Sequence, residues 1–509
     1  MDNRRMDLNH DACYRAILTR DARFDGRLFV GVKTTGIYCR PICPARTPKR
    51  ENVLFYPSAA AAQEAGFRPC LRCRPEISPD LGSGRGTAST VSRALALIET
   101  GVLDSGAVEE LAERLGVGER QLRRLFQQHL GASPIAVAQT RRILLAKQLI
   151  HETRLSMTEV AMAAGFGSVR RFNEVFQQLF GRSPATLRRT RGQAISAASS
   201  PEAIVIKLPY RPPYDWEVIS SFLAARAIRG VEAVSDGRYA RSVELNGARG
   251  TICVEPGGGA WLRATIRFPR LEALPGIIAR VRRIFDLAAD PLAIGAHLAE
   301  DPALAPLVAA RPGMRVPGAW DGFELAVRAI LGQQITVQAA TGLLGRLVAA
   351  HGSLLDQELP GVEGLTHLFP RPEGLARADL STLGMPRSRA AALSGLAAAV
   401  VADPLIFGAH RSLDDAIKRF RSLSGIGEWT AQYIAMRELR EPDAFPAADL
   451  GLLRAMADET GQRPTPRQLL ARAENWRPWR AYAALHLWVS SAADSPGPSR
   501  EVLDARQAA

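Results

Sequence analysis

The stretch "LSGIGEWT", residues 423–430, sets Gly425 and Gly427 on either side of Ile426, between two segments with helical spacing. Glycines at such a joint allow a tight turn and leave a row of backbone N–H groups exposed at the start of the following helix. Amides arranged that way bind a phosphate without any side-chain charge. A lone Gly-x-Gly is a weak signal. The stretch "DAFPAADLGLLR" (443–454) follows closely and carries Asp449.

The rest of the chain points to a polyanionic partner. Its 509 residues exceed what one hydrophobic core supports. Apolar residues at 47% and charged residues at 23% mark folded rather than disordered material. A net charge of +14, built on 65 Lys and Arg, favours nucleic acid over membrane. No stretch has the length of a membrane span and the N-terminus has no apolar signal core, so the expected location is cytoplasmic and nucleoid-associated. "PDLGSGRGTAST" (79–90) and "RGQAISAASSPE" (191–202) read as linkers. Residues 203–268 alternate as strands do, with Asn246-Gly247 and Pro256-Gly257 as turns, and the text from about 272 is Ala/Leu-rich with helical spacing.

The segment between the linkers contains a repeat. "LFQQHLGASP" (125–134) and "VFQQLFGRSP" (175–184) match at an offset of 50 residues, each after a helix, a glycine turn and a second helix. The turns fall at Gly116 and Gly165, where positive φ is expected. Arg120, Gln121, Arg123 and Arg124, and then Ser168, Arg170, Arg171 and Asn173, fall on the second helices, whose donors can reach base edges and phosphates. This tandem resembles the DNA-binding domain of AraC-type regulators.

Near the N-terminus, "GIYCRPICPARTP" (36–48) and "FRPCLRCRPE" (67–76) supply Cys39, Cys43, Cys70 and Cys73. Cys-x3-Cys, 26 residues and Cys-x2-Cys give four soft ligands suited to one tetrahedral Zn²⁺. A redox pair would need a thioredoxin-like setting, which is absent. A purely structural site is the alternative to a reactive one, and Arg40, Arg46, Arg68, Arg72 and Arg74 around the thiols argue for a phosphate-facing surface. Cys13 and Cys253 read as small buried hydrophobes.

Residues 20–76 closely resemble the N-terminal domain of the Ada family of alkylation-damage regulators. The resemblance implies that Cys39 accepts a methyl group from a DNA methylphosphotriester in a single turnover, and that Thr35, Arg46 and Arg68 contact DNA. Pro44 stands where some relatives carry an arginine. "FELAVRAILGQQITVQAA" (323–340), "LGMPRSRAAAL" (383–393) and "WRPWRAYAALHLW" (476–488), with the glycine turn and Asp449, resemble the AlkA family of helix-hairpin-helix 3-methyladenine glycosylases. Here the resemblance implies Asp449 as catalytic carboxylate, Gly425 and Gly427 as the DNA-binding hairpin, and Trp429, Trp488 and Tyr433 as the pocket for a flipped base. Trp429 occupies the position where lyase-type members place a Schiff-base lysine, which implies a monofunctional enzyme. The duplex wedge of that family falls on Gln334, next to Ile335.

The expected architecture is multidomain α+β: a zinc-binding methyl acceptor (1–80), a tandem helix-turn-helix (88–192), an antiparallel sheet domain (203–288) and an all-α glycosylase domain (289–490). The expected function is alkylation repair with its own transcriptional control, acting on alkylated double-stranded DNA and promoter DNA, with RNA polymerase as a further partner and no membrane. The competing reading is a regulator whose glycosylase-like domain only binds DNA. A linker and a whole domain are expected to separate the two chemistries.

Overall fold

The computed structural model describes residues 9–78, 89–189, 203–355, 363–408, 410 and 412–493; both linkers read from the sequence fall largely outside the described residues. The N-terminal unit is a four-stranded sheet in the order β3-β1-β2-β4, from β1 (Phe29–Val32), β2 (Ile37–Cys39), β3 (Val53–Tyr56) and β4 (Arg68–Pro69). β1 pairs antiparallel with β2 and β3, while β2 runs parallel to β4. That parallel pair carries Cys39 at the end of β2 next to the Cys70–Cys73 loop that follows β4, so the two cysteine pairs close on one point.

The helix-turn-helix repeats fold as the glycines require. Val108–Arg114 turns through Gly116 (φ +65°) into Glu119–Leu130, and Met157–Ala163 turns through Gly165 (φ +84°) into Val169–Phe180. In the second helices Leu122, Phe126 and Leu130, and then Phe172, Phe176 and Phe180, are buried at helical spacing, which directs the intervening polar residues outward. A 19-residue helix, Pro134–Glu152, joins the two units.

The five-stranded sheet, order β5-β9-β8-β7-β6, is antiparallel throughout: β5 Ile204–Pro209, β6 Glu232–Ser235, β7 Arg238–Leu245, β8 Ala248–Pro256 and β9 Trp261–Arg267. Asn246 (φ +52°) and Gly247 (φ +75°) make the two-residue hairpin between β7 and β8, where both positions need left-handed backbone. The apolar face of this sheet and the second helix-turn-helix unit share one core, from Ile143 through Phe176 and Ile252 to Trp320. The helical C-terminal part has its own core, in which Leu331, Leu393, Phe420, Ile434 and Leu487 are almost fully buried. No helix among the described residues is long and apolar enough to cross a membrane.

The modules touch directly. Arg211, before the helix that follows β5, donates to the backbone carbonyls of Arg23 (2.7 Å) and Asp25 in the N-terminal unit, and Arg27 pairs with Asp290. The cysteine-bearing unit therefore packs on the sheet domain itself, although the helix-turn-helix pair lies between them in the chain.

Candidate metal and DNA-repair sites

Cys39, Cys43, Cys70 and Cys73 bring their sulfur atoms within 4.8 Å of one another. The set is all thiol, and its members hydrogen-bond one another. Four sulfurs this close cannot all be thiolates without a soft cation between them, so the donor set fits one tetrahedral Zn²⁺. Backbone amides reach three of the sulfurs: Arg40 N–H to Cys73 and Arg72 N–H to Cys70, both at 3.3 Å, and Ala45 N–H to Cys43. Cys39 receives none among the described residues and is half-exposed, while Cys70 and Cys73 are buried.

The arginines around the quartet divide into two groups. Arg40 is buried against Asp25 and the Cys73 carbonyl, and Arg74 is held by Glu76 and Glu152, so neither is offered to a phosphate. This corrects the expectation that all five arginines around the thiols face phosphate; the physical reason is that Arg40 and Arg74 neutralise buried carboxylates instead. Arg46 and Arg72 are exposed, Arg68 lies half-buried on β4, and Thr35 is exposed in the β1–β2 turn beside Gly36. Cys13 is buried as expected, and Cys253 is half-buried on β8.

On the recognition helices Arg120, Gln121, Arg124, Arg170, Arg171 and Asn173 are all exposed. Ser168 is the N-cap of its helix and accepts from Arg171 N–H at 3.2 Å, so its oxygen also organises the helix start. Arg170 pairs with Glu174 along the same face.

The C-terminal site lies in a cleft of about 930 Å³ between the helical domain and the sheet domain. Helix Leu413–Arg421 and helix Glu428–Arg437 form the hairpin. Gly425 has φ +81°, and a Cβ there would sit 2.5 Å from the Ala392 Cβ; Gly427, the N-cap, faces open space. Buried Ile426 anchors the turn, which leaves both glycines exposed. Asp449 caps helix Leu450–Ala455 through Leu452 N–H at 3.0 Å. The indole N–H of Trp429 donates to its Oδ2 and that of Trp488 to its Oδ1, each at 2.8 Å. Trp429 stacks on Tyr433 with centroids 5.1 Å apart and planes 10° from parallel. One carboxylate, two indoles and a phenol thus converge on one cleft wall.

Gln333, which no sequence motif singles out, and the expected wedge residues Gln334 and Ile335 lie beside the hairpin. Gln333 donates to Gly425 O (2.8 Å) and Thr430 Oγ1 (3.1 Å), and its own carbonyl accepts from Arg389 (2.6 Å), bracing the hairpin. Gln334 is exposed with φ +60°, and Ile335 beside it is half-buried and lines the cleft. A Cβ on Gly451 would meet Asp449 Oδ1 at 2.9 Å. Phe222 and Arg226, from helix Trp216–Ala225 and its C-cap, and Arg437, one turn beyond Tyr433 on the hairpin's second helix, also line the cleft, and no local motif announces them.

Comparison with known proteins follows the same division. "Metal binding domain of Ada" matches residues 12–76, "Helix-turn-helix domain" 111–190, "AlkA N-terminal domain" 205–321 and "HhH-GPD superfamily base excision DNA repair protein" 327–481. A "Probable bifunctional transcriptional activator/DNA repair enzyme AlkA" of Mycobacterium tuberculosis is 42% identical over 481 residues, covering 94% of this chain and 96% of the relative. "DNA-3-methyladenine glycosylase 2" of Escherichia coli is 38% identical over 290 residues, which are 56% of this chain and 96% of that protein. The solved 3-methyladenine DNA glycosylase of Archaeoglobus fulgidus superposes with a TM-score of 0.50 at 21% identity, over 56% of this chain and 98% of that one, and so shares the fold. With four domains in this order and a full-length relative at that identity, the chain belongs to the family of bifunctional transcriptional activator/DNA repair enzymes that join an Ada-type zinc domain to an AlkA-type glycosylase.

Proposed function

We propose that the C-terminal half is a monofunctional glycosylase of the 3-methyladenine type II class, and that the N-terminal unit takes methyl groups from DNA phosphotriesters in single turnovers. The observation that carries the first reading is the Asp449 carboxylate fixed by two indole N–H groups at the foot of the hairpin. An N-alkylated purine already carries positive charge and leaves readily, so the protein's main task is to stabilise the oxocarbenium-like sugar left behind. A carboxylate with both oxygens already oriented does this without reorganising. Gly425 and Gly427 dock the strand by backbone N–H groups, and the open face of Trp429 receives the flipped cationic base. Trp429 has no amine, so the sugar remains an intact abasic site.

For the second chemistry, zinc in the cysteine site keeps the sulfurs as thiolates at neutral pH. Hydrogen bonds from backbone amides damp the nucleophilicity of Cys43, Cys70 and Cys73, and Cys39 is left as the reactive sulfur. Its sulfur attacks the methyl carbon, the S–C bond forms, and the C–O electron pair returns to the phosphate as a diester. The quartet loses one negative charge, which favours DNA binding by Thr35, Arg46 and Arg68 and couples repair to promoter binding by the helix-turn-helix pair, with RNA polymerase as the downstream partner. The domain limits and nucleoid association expected from the sequence belong to this proposal. The test is methylated DNA incubated with the full chain in the presence of borohydride: free 3-methyladenine and no trapped adduct are expected, and a trapped protein–DNA adduct would overturn the monofunctional assignment.

A further inference from the structure

The outer face of the five-stranded sheet carries charge that neither proposed reaction uses. Along β9, Leu262, Ala264 and Ile266 point into the core shared with the second helix-turn-helix unit, so Trp261, Arg263, Thr265 and Arg267 line the opposite face. Lys207 of β5 and Glu255 of β8 flank Arg263 in register, which puts them on the same face. Glu255 bridges two guanidiniums, Arg238 at 3.0 Å and Arg263 at 3.2 Å, whose side chains remain 60% and 50% exposed. Lys207 and Arg267 have no carboxylate partner among the described residues, and Arg267 Nε is buried without a hydrogen-bond acceptor. Glu244, further along the face, is taken up by Arg371. Four cations thus share one carboxylate, which leaves a surplus of three positive charges.

Two of these cations are held in place by an aromatic ring. The Trp261 ring lies against Gly257, where a Cβ would come within 2.3 Å of it; Lys207 Nζ sits 4.6 Å from the ring centroid and Arg263 Cζ 6.0 Å from it. A cation–π contact orients a cation and leaves it its full charge, whereas a carboxylate partner would cancel that charge. A fixed and uncompensated array of this kind suits a string of phosphates, whose condensed counterions it would release. Because the ring is already engaged by two cations and Gly257, the contact is with backbone and not with stacked bases. We propose that this face binds the phosphate backbone of duplex DNA, as a sequence-independent contact additional to the hairpin and the recognition helices.

The test is binding of the full chain to an undamaged duplex of about 30 base pairs without promoter sequence, titrated at several salt concentrations. The combined Lys207→Gln, Arg263→Gln and Arg267→Gln variant is expected to bind about tenfold more weakly, and to flatten the slope of log K against log salt by about 2 to 3, since each phosphate contact accounts for about 0.9. Trp261→Ala removes no charge and should still weaken binding about threefold. Glu255→Gln removes the shared carboxylate and should tighten binding, a gain that misfolding cannot produce. An unchanged salt slope in the combined variant, unchanged affinity in Trp261→Ala or weaker binding in Glu255→Gln would overturn the proposal. So would loss of self-association in sedimentation with duplex binding intact, which would make the face an interface between copies of this chain.

Discussion

Asp449 and Cys39 are the residues on which the two proposed reactions turn. Sequence resemblance singled out Asp449; the structure adds that both its oxygens accept indole N–H groups, so Trp429 and Trp488 orient the carboxylate as well as line the pocket. Asp449→Asn is expected to lower excision by a factor of about 10² to 10³ while leaving affinity for damaged duplex unchanged, measured by single-turnover release and by gel shift. Full activity in that variant would remove the role. Arg437 and Glu438 were not legible, because their partners are distant in sequence. Burial pushes the Glu438 carboxyl up to about 7 against the opposing charge of Arg283, its 2.5 Å partner across the joint to the sheet domain. Between an unfolded value of 4.5 and this folded one, the native state binds the extra proton, so the contribution to stability is present below about pH 4.5 and lost as pH rises through about 7. Thermal unfolding should therefore show Glu438→Gln gaining on wild type between pH 5 and pH 8, and a gap that does not change with pH would contradict the assignment.

At the scale of elements, the glycines carried most of what could be read. Gly116 and Gly165 were expected at positive φ and are found there, as is Gly425 in the hairpin. These positions are legible because a tight interhelical turn restricts residue type whatever packs around it. Gly425→Ala would combine the left-handed backbone with a Cβ 2.5 Å from Ala392, and Gly427→Ala would not. The first is expected to weaken DNA binding about tenfold or more and the second less, measured by titration of an abasic duplex. The reverse order would contradict the hairpin account. Arginine counts were less reliable guides. Arg40 and Arg74 look like phosphate contacts in sequence, yet each closes an ion pair whose carboxylate partner no spacing rule identifies.

Across the whole molecule, four domains were legible from composition shifts and motifs, and their packing was not. Lys147, in the helix joining the two helix-turn-helix units, has no exposed side-chain surface. It pairs with Glu76 and donates to the Cys70 carbonyl at 2.9 Å, while Gln148 of the same helix donates to Lys207 O on β5 at 2.7 Å. One helix thus contacts both the cysteine loop and the sheet domain, a tertiary relation that a sequence pattern does not encode. Lys147→Met leaves Glu76 buried with only Arg74 and His151 beside it, and is expected to destabilise the N-terminal half by about 3–5 kcal/mol in denaturant unfolding. Although the modules touch, none of the described contacts joins Cys39 to the Asp449 cleft, so the two reactions should be separable in one chain. The most direct test follows both products from one methylated DNA sample: protein-bound methyl and released 3-methyladenine. Wild type should give both, Asp449→Asn only the methyl-protein, and Cys39→Ala only the free base. Base release at the wild-type rate from Asp449→Asn, or phosphotriester methyl still carried by Cys39→Ala, would contradict the account.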